Sequence, residues 1–256
     1  MDRSTGTGKV EIGPGGLPGP AGRTGGERSV FVRGRSLPQP PVDLPRGFVR
    51  NRRIKSDGLS FLARLQAEHF PLVFFDPQYR GVLDHQAYGN EGARQRARST
   101  LRQMTEEEIS RFLREVERVL MPSGHLLLWV DKFHLCMGLR HWFDGTQLEM
   151  VDLIVWNKQR MGMGYRTRRV SEYLAVLQKT PRRAKGVWAA HDIPDVWDEK
   201  VTKAGPHAKP IGLQGRLIES LTNPGDTVVD PAAGSFSVLE SCRLTARDFL
   251  GCDIAG

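Results

Sequence analysis

The 256-residue chain is poor in cysteine: Cys136, Cys242 and Cys252 are the only three. Their number is odd and their spacing matches no metal site, so a disulfide framework and a zinc module are both disfavoured. Free thiols in a reducing cytoplasm are the expected state. No run of about 18 apolar residues occurs, which argues against a membrane-spanning helix. The glycine-rich, polar N-terminus lacks the apolar segment of a secretory signal. No internal repeat appears. Acids are scarce where bases are dense: from Lys158 to Lys185 there are nine basic residues and one acid, Glu172. A second basic cluster holds Arg94, Arg96, Arg98 and Arg102. With a net charge of +8, such clusters suit a polyanionic partner, nucleic acid above all.

What is present divides the chain in two. Residues 1–50 carry 11 of the 28 glycines and 7 of the 16 prolines without sustained periodicity. A disordered arm is expected there, because so little apolar surface cannot offset chain entropy. From about residue 53 strands alternate with helices. A short strand at 53–55 and a helical stretch with Leu59, Leu62 and Leu65 precede a buried strand at 72–75. The clearest helix is 105–120, where Thr105 and Glu108 form a capping box and Ile109, Phe112, Leu113, Val116, Val119 and Leu120 share one face. A strand at 125–130 and a helix near 132–143 follow. Strands at 150–156 and 171–179, joined by a glycine- and arginine-rich loop, read as an antiparallel pair. Last come a helix at 212–222, a strand at 227–230, another helix and a strand ending at Asp253. This alternation indicates an α/β layer fold with a mostly parallel, doubly wound sheet.

Two strands end in acids. "PLVFFDPQYRG" runs from a buried strand straight into Asp76, Pro77, Gln78 and Tyr79. "DTVVDPAAGSF" ends its strand at Asp230 and turns through Pro231, Ala232, Ala233, Gly234, Ser235 and Phe236. Small residues let backbone amides approach a ligand, and Asp253, 23 residues on, stands where dinucleotide-type folds place a ribose-binding acid. The turn does not match G-x-G-x-x-G, which disfavours a nicotinamide dehydrogenase. Ligands of doubly wound sheets bind beyond the carboxyl ends of adjacent strands, so the two loops are expected to face one cleft.

With these segments in hand, the sequence resembles the S-adenosylmethionine-dependent DNA amino-methyltransferases of the permuted β group. The catalytic D-P-P-[YFW] appears as "DPQY", and the cofactor loop D-P-F-x-G-S-G as "DPAAGSF". The lysine-proline motif appears as "HAKP", with Lys209 and Pro210, and the W-x-K…G-x-G…R…E segment as "VWNKQRMGMGYRTRRVSEYLAVLQK". The cofactor loop follows the catalytic motif by about 150 residues, the order of the permuted enzymes.

The resemblance implies a circularly permuted, Rossmann-like seven-stranded sheet with one antiparallel strand over residues 51–256. It makes 180–206 a short candidate recognition insertion. The cofactor is S-adenosylmethionine, held by Asp57, Lys209, Pro210, the 230–236 loop and Asp253. Asp76 and the Pro77 carbonyl hold the amine of a flipped base, Gln78 stands in for a proline, and Tyr79 stacks on the base. Double-stranded DNA lies on Arg94, Arg96, Arg98, Lys158, Arg160, Arg166, Arg168 and Arg169. No metal and no membrane are implied. A homodimer and a cognate restriction endonuclease are partners the resemblance allows. Asp at the head of the motif leans to adenine N6, with cytosine N4 as the alternative. A catalytically silent DNA-binding protein is the other reading, resting on Phe236 in the place of a loop glycine.

Overall fold

The computed structural model describes residues 37–78, 103–162, 167–200 and 208–256. Tyr79, Arg94, Arg96, Arg98, Arg102 and Arg166 lie outside the described residues. The strands are β1 (Arg53–Lys55), β2 (Phe70–Phe75), β3 (Leu120–Val130), β4 (Leu148–Asn157), β5 (Ser171–Lys179), β6 (Val196–Asp198), β7 (Thr227–Asp230) and β8 (Asp248–Asp253). The helices are α1 (Gly58–Leu62), α2 (Glu106–Val119), α3 (Lys132–Met137), α4 (Arg140–Phe143), α5 (Ile211–Leu221) and α6 (Ser237–Leu244). Among the described residues, no helix is long and apolar enough to cross a membrane.

One sheet takes the order β1-β8-β7-β2-β3-β5-β4-β6. Its pairings are parallel except those of β5, which runs antiparallel to both β3 and β4. The C-terminal strands β7 and β8 sit between β1 and β2, which is how a permuted chain closes the sheet. The expected seven strands become eight. The extra strand, β6, forms within 180–206 by pairing Val196, Trp197 and Asp198 with Val155, Trp156 and Asn157. Three residues without alternation leave no periodic signal, so sequence patterning misses such a strand.

The sheet is covered on both faces, which explains why its strands read as continuous apolar runs. Val73 and Phe75 of β2 face a core with α1, α2 and α4, while Leu72 and Phe74 face another with α5 and α6. The capping box of α2 forms as expected: the Thr105 hydroxyl accepts from the Glu108 amide at 3.1 Å, and the Glu108 carboxylate accepts from the Thr105 amide at 2.9 Å. Ile109, Phe112, Leu113, Val116 and Val119 are buried by that helix, at roughly 1.5–3 kcal/mol for each large apolar side chain. The helix expected near 132–143 is two short ones, broken at Gly138, whose φ of +87° ends α3.

The N-terminal boundary also shifts. Residues 37–50 pack on the domain although their composition is that of an arm. Gln39 donates to the His69 carbonyl at 3.0 Å and accepts from the Thr227 amide at 2.7 Å. Phe48 stacks on Phe61 with ring centroids 5.0 Å apart. A few polar anchors and one aromatic ring are enough to dock a segment that has no period.

Gly58 opens α1 directly beneath the 230–236 loop. A Cβ there would overlap the Pro231 carbonyl oxygen and come within 2.7 Å of the Phe112 ring. Backbone cannot yield as a flexible side chain can. Gly58→Ala should therefore destabilise the fold by about 1–3 kcal/mol, read as a lower urea midpoint with unchanged m-value. An unchanged midpoint would show that α1 and the loop are not in mutual contact.

Candidate active site

β2 and β7 pair in parallel, Leu72 with Val228 and Val73 with Val229. β8 pairs with β7 on the other side, so Asp76, Asp230 and Asp253 follow one another along a single edge of the sheet. The structure thus brings the two acid-ended loops to one cleft.

At its centre is Lys209, on the segment entering α5. Its ammonium lies 3.0 Å from Asp76 Oδ2, 2.9 Å from Glu172 Oε2 and 4.6 Å from the centroid of the Trp129 ring. Glu172 also takes Lys158 at 3.2 Å. The result is a chain of alternating charges: Lys158, Glu172, Lys209, Asp76. Burial alone would raise the Glu172 carboxyl, but the two lysines bring it down to about 2. Burial would likewise lower Lys209, yet Asp76 and Glu172 hold it well above the ordinary lysine range. Glu172 and Lys209 therefore both carry charge at neutral pH.

Pro77 is buried and Gln78 exposed. The Gln78 carbonyl accepts from the Met104 amide at 2.7 Å, pinning the turn where the family has its second proline. Hydrogen bonding to a neighbouring segment here supplies rigidity that a ring would otherwise impose.

The cofactor-type loop is held from inside. The Ala233 amide donates to the Cys252 carbonyl at 2.9 Å, and the Gly234 amide donates to Asp253 Oδ2 at 3.1 Å. Asp253 Oδ1 accepts from the Ala255 amide at 2.8 Å. Each carboxylate oxygen has a second lone pair, so this acid retains the capacity to accept from a diol. Gly234 has a φ of +49° and open space where a Cβ would point. Phe236 keeps the left-handed backbone a glycine would adopt, at φ 60° and ψ 35°. Its ring is 3% exposed, with its centroid 6.1 Å from that of Phe249 and the Arg53 guanidinium 4.9 Å above it. Burial of an aromatic ring offsets a backbone cost of about 1–2 kcal/mol. The ring packs down towards β8 and leaves the space at Gly234 open.

A cavity of about 800 Å³ borders this loop, lined by Asn51, Arg53, Lys209, Ser235, Phe236 and Ser237 among others. It suits a nucleoside-sized ligand. Asp57, Asp230 and Asp253 do not line it. Asp57 is exposed and caps α1, its Oδ1 accepting from the Ser60 amide at 2.9 Å. Asp230 is buried and accepts from the Ala232 amide at 3.2 Å. Burial, reinforced by the charges of Asp76 and Asp253, pushes its carboxyl up to about 8. It stands as a neutral acid bracing the turn. Pro210 occupies the N-cap of α5.

The basic residues separate. Lys158, expected on the nucleic-acid face, is drawn into the ion-pair chain by Glu172. Arg160 and Arg168 are exposed, with Arg168 donating to the Gly162 carbonyl at 2.8 Å. Arg169 lies 5.8 Å from the Phe133 ring centroid. Sequence reasoning missed Glu172 and Trp129 as site residues. The signals for Glu172 were its place as the acid of the W-x-K…G-x-G…R…E segment and its isolation as one acid among nine bases. Nothing marked Trp129, which lies within a run of apolar residues.

A permuted α/β sheet with two acid-ended strands at one cleft defines the amino-methyltransferase class. The family model described as DNA methylase, of the N6/N4 type, matches residues 70–255, and the chain belongs to that family. It is 51% identical over 207 residues to the Type II methyltransferase M.HhaII of Haemophilus parahaemolyticus, a match covering 80% of this chain and 91% of that protein. Solved structures share the fold at low identity. The PvuII DNA methyltransferase, described as cytosine-N4-specific, superposes with a TM-score of 0.59 at 16% identity, covering 81% of this chain and 83% of its own. M1.HpyAVI in complex with S-adenosylmethionine gives 0.56 at 16% identity, covering 79% and 92%.

The raised Asp230 carboxyl has a consequence for stability. Folded, it keeps its proton up to about pH 8; unfolded, it loses it near 4. Between those values the unfolded state binds fewer protons, so this group removes stability as pH rises, by up to about 1.4 kcal/mol per pH unit. Asp230→Asn keeps the acceptor and removes the titration. Its urea midpoint relative to the parent protein should climb steadily from pH 4 to 8. A difference flat across that window would place an ionised carboxylate at 230.

Proposed function

We propose that this DNA methyltransferase moves a methyl group from S-adenosylmethionine to the exocyclic amine of a flipped base in duplex DNA, adenine N6 foremost. The observation that carries the reading is the direct pairing of β2 with β7, which sets Asp76, Pro77 and Gln78 beside the small-residue loop.

The residues suit the cofactor. Asp253 can accept from a ribose diol, and the open backbone at Gly234 allows close approach. When bound, S-adenosylmethionine supplies an electrophilic methyl group on a sulfonium sulfur. The protein's own part is positioning. An exocyclic amine is a poor nucleophile because its lone pair is delocalised into the ring. Asp76 and the Pro77 carbonyl accept from its two hydrogens, favour a pyramidal nitrogen and turn the lone pair outward. Tyr79 stacks on the base. Extruding that base from the helix costs on the order of a few kcal/mol. Arg160, Arg166, Arg168 and Arg169 contact phosphate, with Arg94, Arg96 and Arg98 supporting. Residues 180–206 are the candidate recognition segment, with β6 at its core.

Asp at the head of the motif favours adenine. Nucleoside analysis of unmethylated genomic duplex DNA after incubation with protein and cofactor should reveal N6-methyladenine at one short sequence. N4-methylcytosine would reassign the base while keeping the reaction. Absence of any methylated base, with cofactor binding intact, would establish the silent DNA-binding reading instead.

A further inference from the structure

Glu172 is the second residue of β5, and β5 is antiparallel to its neighbours. Its N-terminal end therefore lies with the C-terminal ends of the parallel strands, where Tyr173 pairs with Val130 and Glu172 with Trp156. The one reversed strand in the sheet delivers a carboxylate to the catalytic edge. It meets Lys209 at 2.9 Å on one oxygen and Lys158 at 3.2 Å on the other.

Lys209 is the group that needs managing. Its side chain is 14% exposed, and its ammonium stands 3.0 Å from the Asp76 carboxylate. Methyl transfer develops positive charge on the amine nitrogen, which Asp76 stabilises and a neighbouring ammonium opposes. Left alone with Asp76, Lys209 would direct its whole attraction to that carboxylate and cancel much of its negative field. Glu172 offers the ammonium a second anion at 2.9 Å, and the centroid of the Trp129 ring lies 4.6 Å from it.

We propose that Glu172 is a positioning residue for methyl transfer: by sharing the Lys209 ammonium, and with it Lys158, it keeps Asp76 an effective anion towards the target amine. This rests on the reading of Asp76 as the amine acceptor. It assigns a role in the reaction to a residue that lies on neither of the two acid-ended loops.

The test uses single-turnover transfer on duplex DNA, cofactor affinity by calorimetry and thermal midpoint, measured on the full chain. Glu172→Gln keeps shape and removes charge. Its transfer rate should fall about tenfold or more, the scale on which outer partners of a reacting group act, with cofactor affinity within about threefold. Lys209→Met removes the ammonium that Glu172 manages. Lys209 also lines the cavity by the cofactor-type loop, so transfer by that variant is measured with cofactor saturating for it. Under that condition it should retain measurable transfer, and adding Glu172→Gln should cost no more than about twofold. The comparison within the Lys209→Met background stands even if Glu172→Gln alone folds poorly.

A parental rate in Glu172→Gln, losses that multiply in the double variant, or no transfer in Lys209→Met would each overturn the proposal. Asp76→Ala separates the two levels. If it is inactive while Glu172→Gln is unaffected, only this inference falls. If it transfers at the parental rate, the reading of Asp76 beneath it falls as well.

Discussion

Parallel pairing of β2 with β7 is the constraint on which the site depends. Both strands are buried on two faces, so their register is fixed by apolar packing, and their ends are delivered to one edge without further instruction. Chemistry then needs only the residues that follow each strand. Asp76 and Asp230 are adjacent because their strands are, although 154 residues separate them in the chain. Permutation leaves this pairing untouched: the sheet order, and no property of the sequence order, decides what meets.

Charge around that edge is arranged in alternation. Lys209 joins the turn at Asp76 to β5, and Glu172 pairs with both Lys209 and Lys158. Desolvation works against Glu172 and Lys209, and each persists in its charged form because its neighbours carry the opposite sign. Asp230 is the exception. It is buried, and the charges of Asp76 and Asp253 add to that, so it takes a proton and serves the turn as a neutral group.

Much of this was legible in the sequence, and for definable reasons. Strands β2, β7 and β8 announce themselves as short apolar runs ending in acids, and α2 by its capping box and 3.6-residue face. The antiparallel β4–β5 pair follows from two apolar strands and a glycine-bearing loop. β6 was not legible, because three residues gain their strand conformation only from β4 beside them. Residues 37–50 look like an arm in composition, and only the tertiary contacts of Gln39 and Phe48 tie them down. The two departures from the family motif are answered by geometry. Phe236 adopts a glycine's backbone and buries its ring, and Gln78 is pinned through its carbonyl. The Lys209–Glu172 contact spans 37 residues and two elements, and no local pattern encodes it.

Division of labour between the two acid-ended strands is the central claim, and paired substitutions with two readouts test it most directly. Cofactor affinity by calorimetry and single-turnover methyl transfer should be measured for Asp76→Ala and Asp253→Ala side by side. The first should abolish transfer while holding cofactor affinity within about threefold. The second should weaken the cofactor by about ten- to a hundredfold, the value of a lost hydrogen bond to a charged group. If Asp76→Ala weakens the cofactor as much as Asp253→Ala does, or if Asp253→Ala leaves its affinity unchanged, the two strand ends do not divide the work in this way.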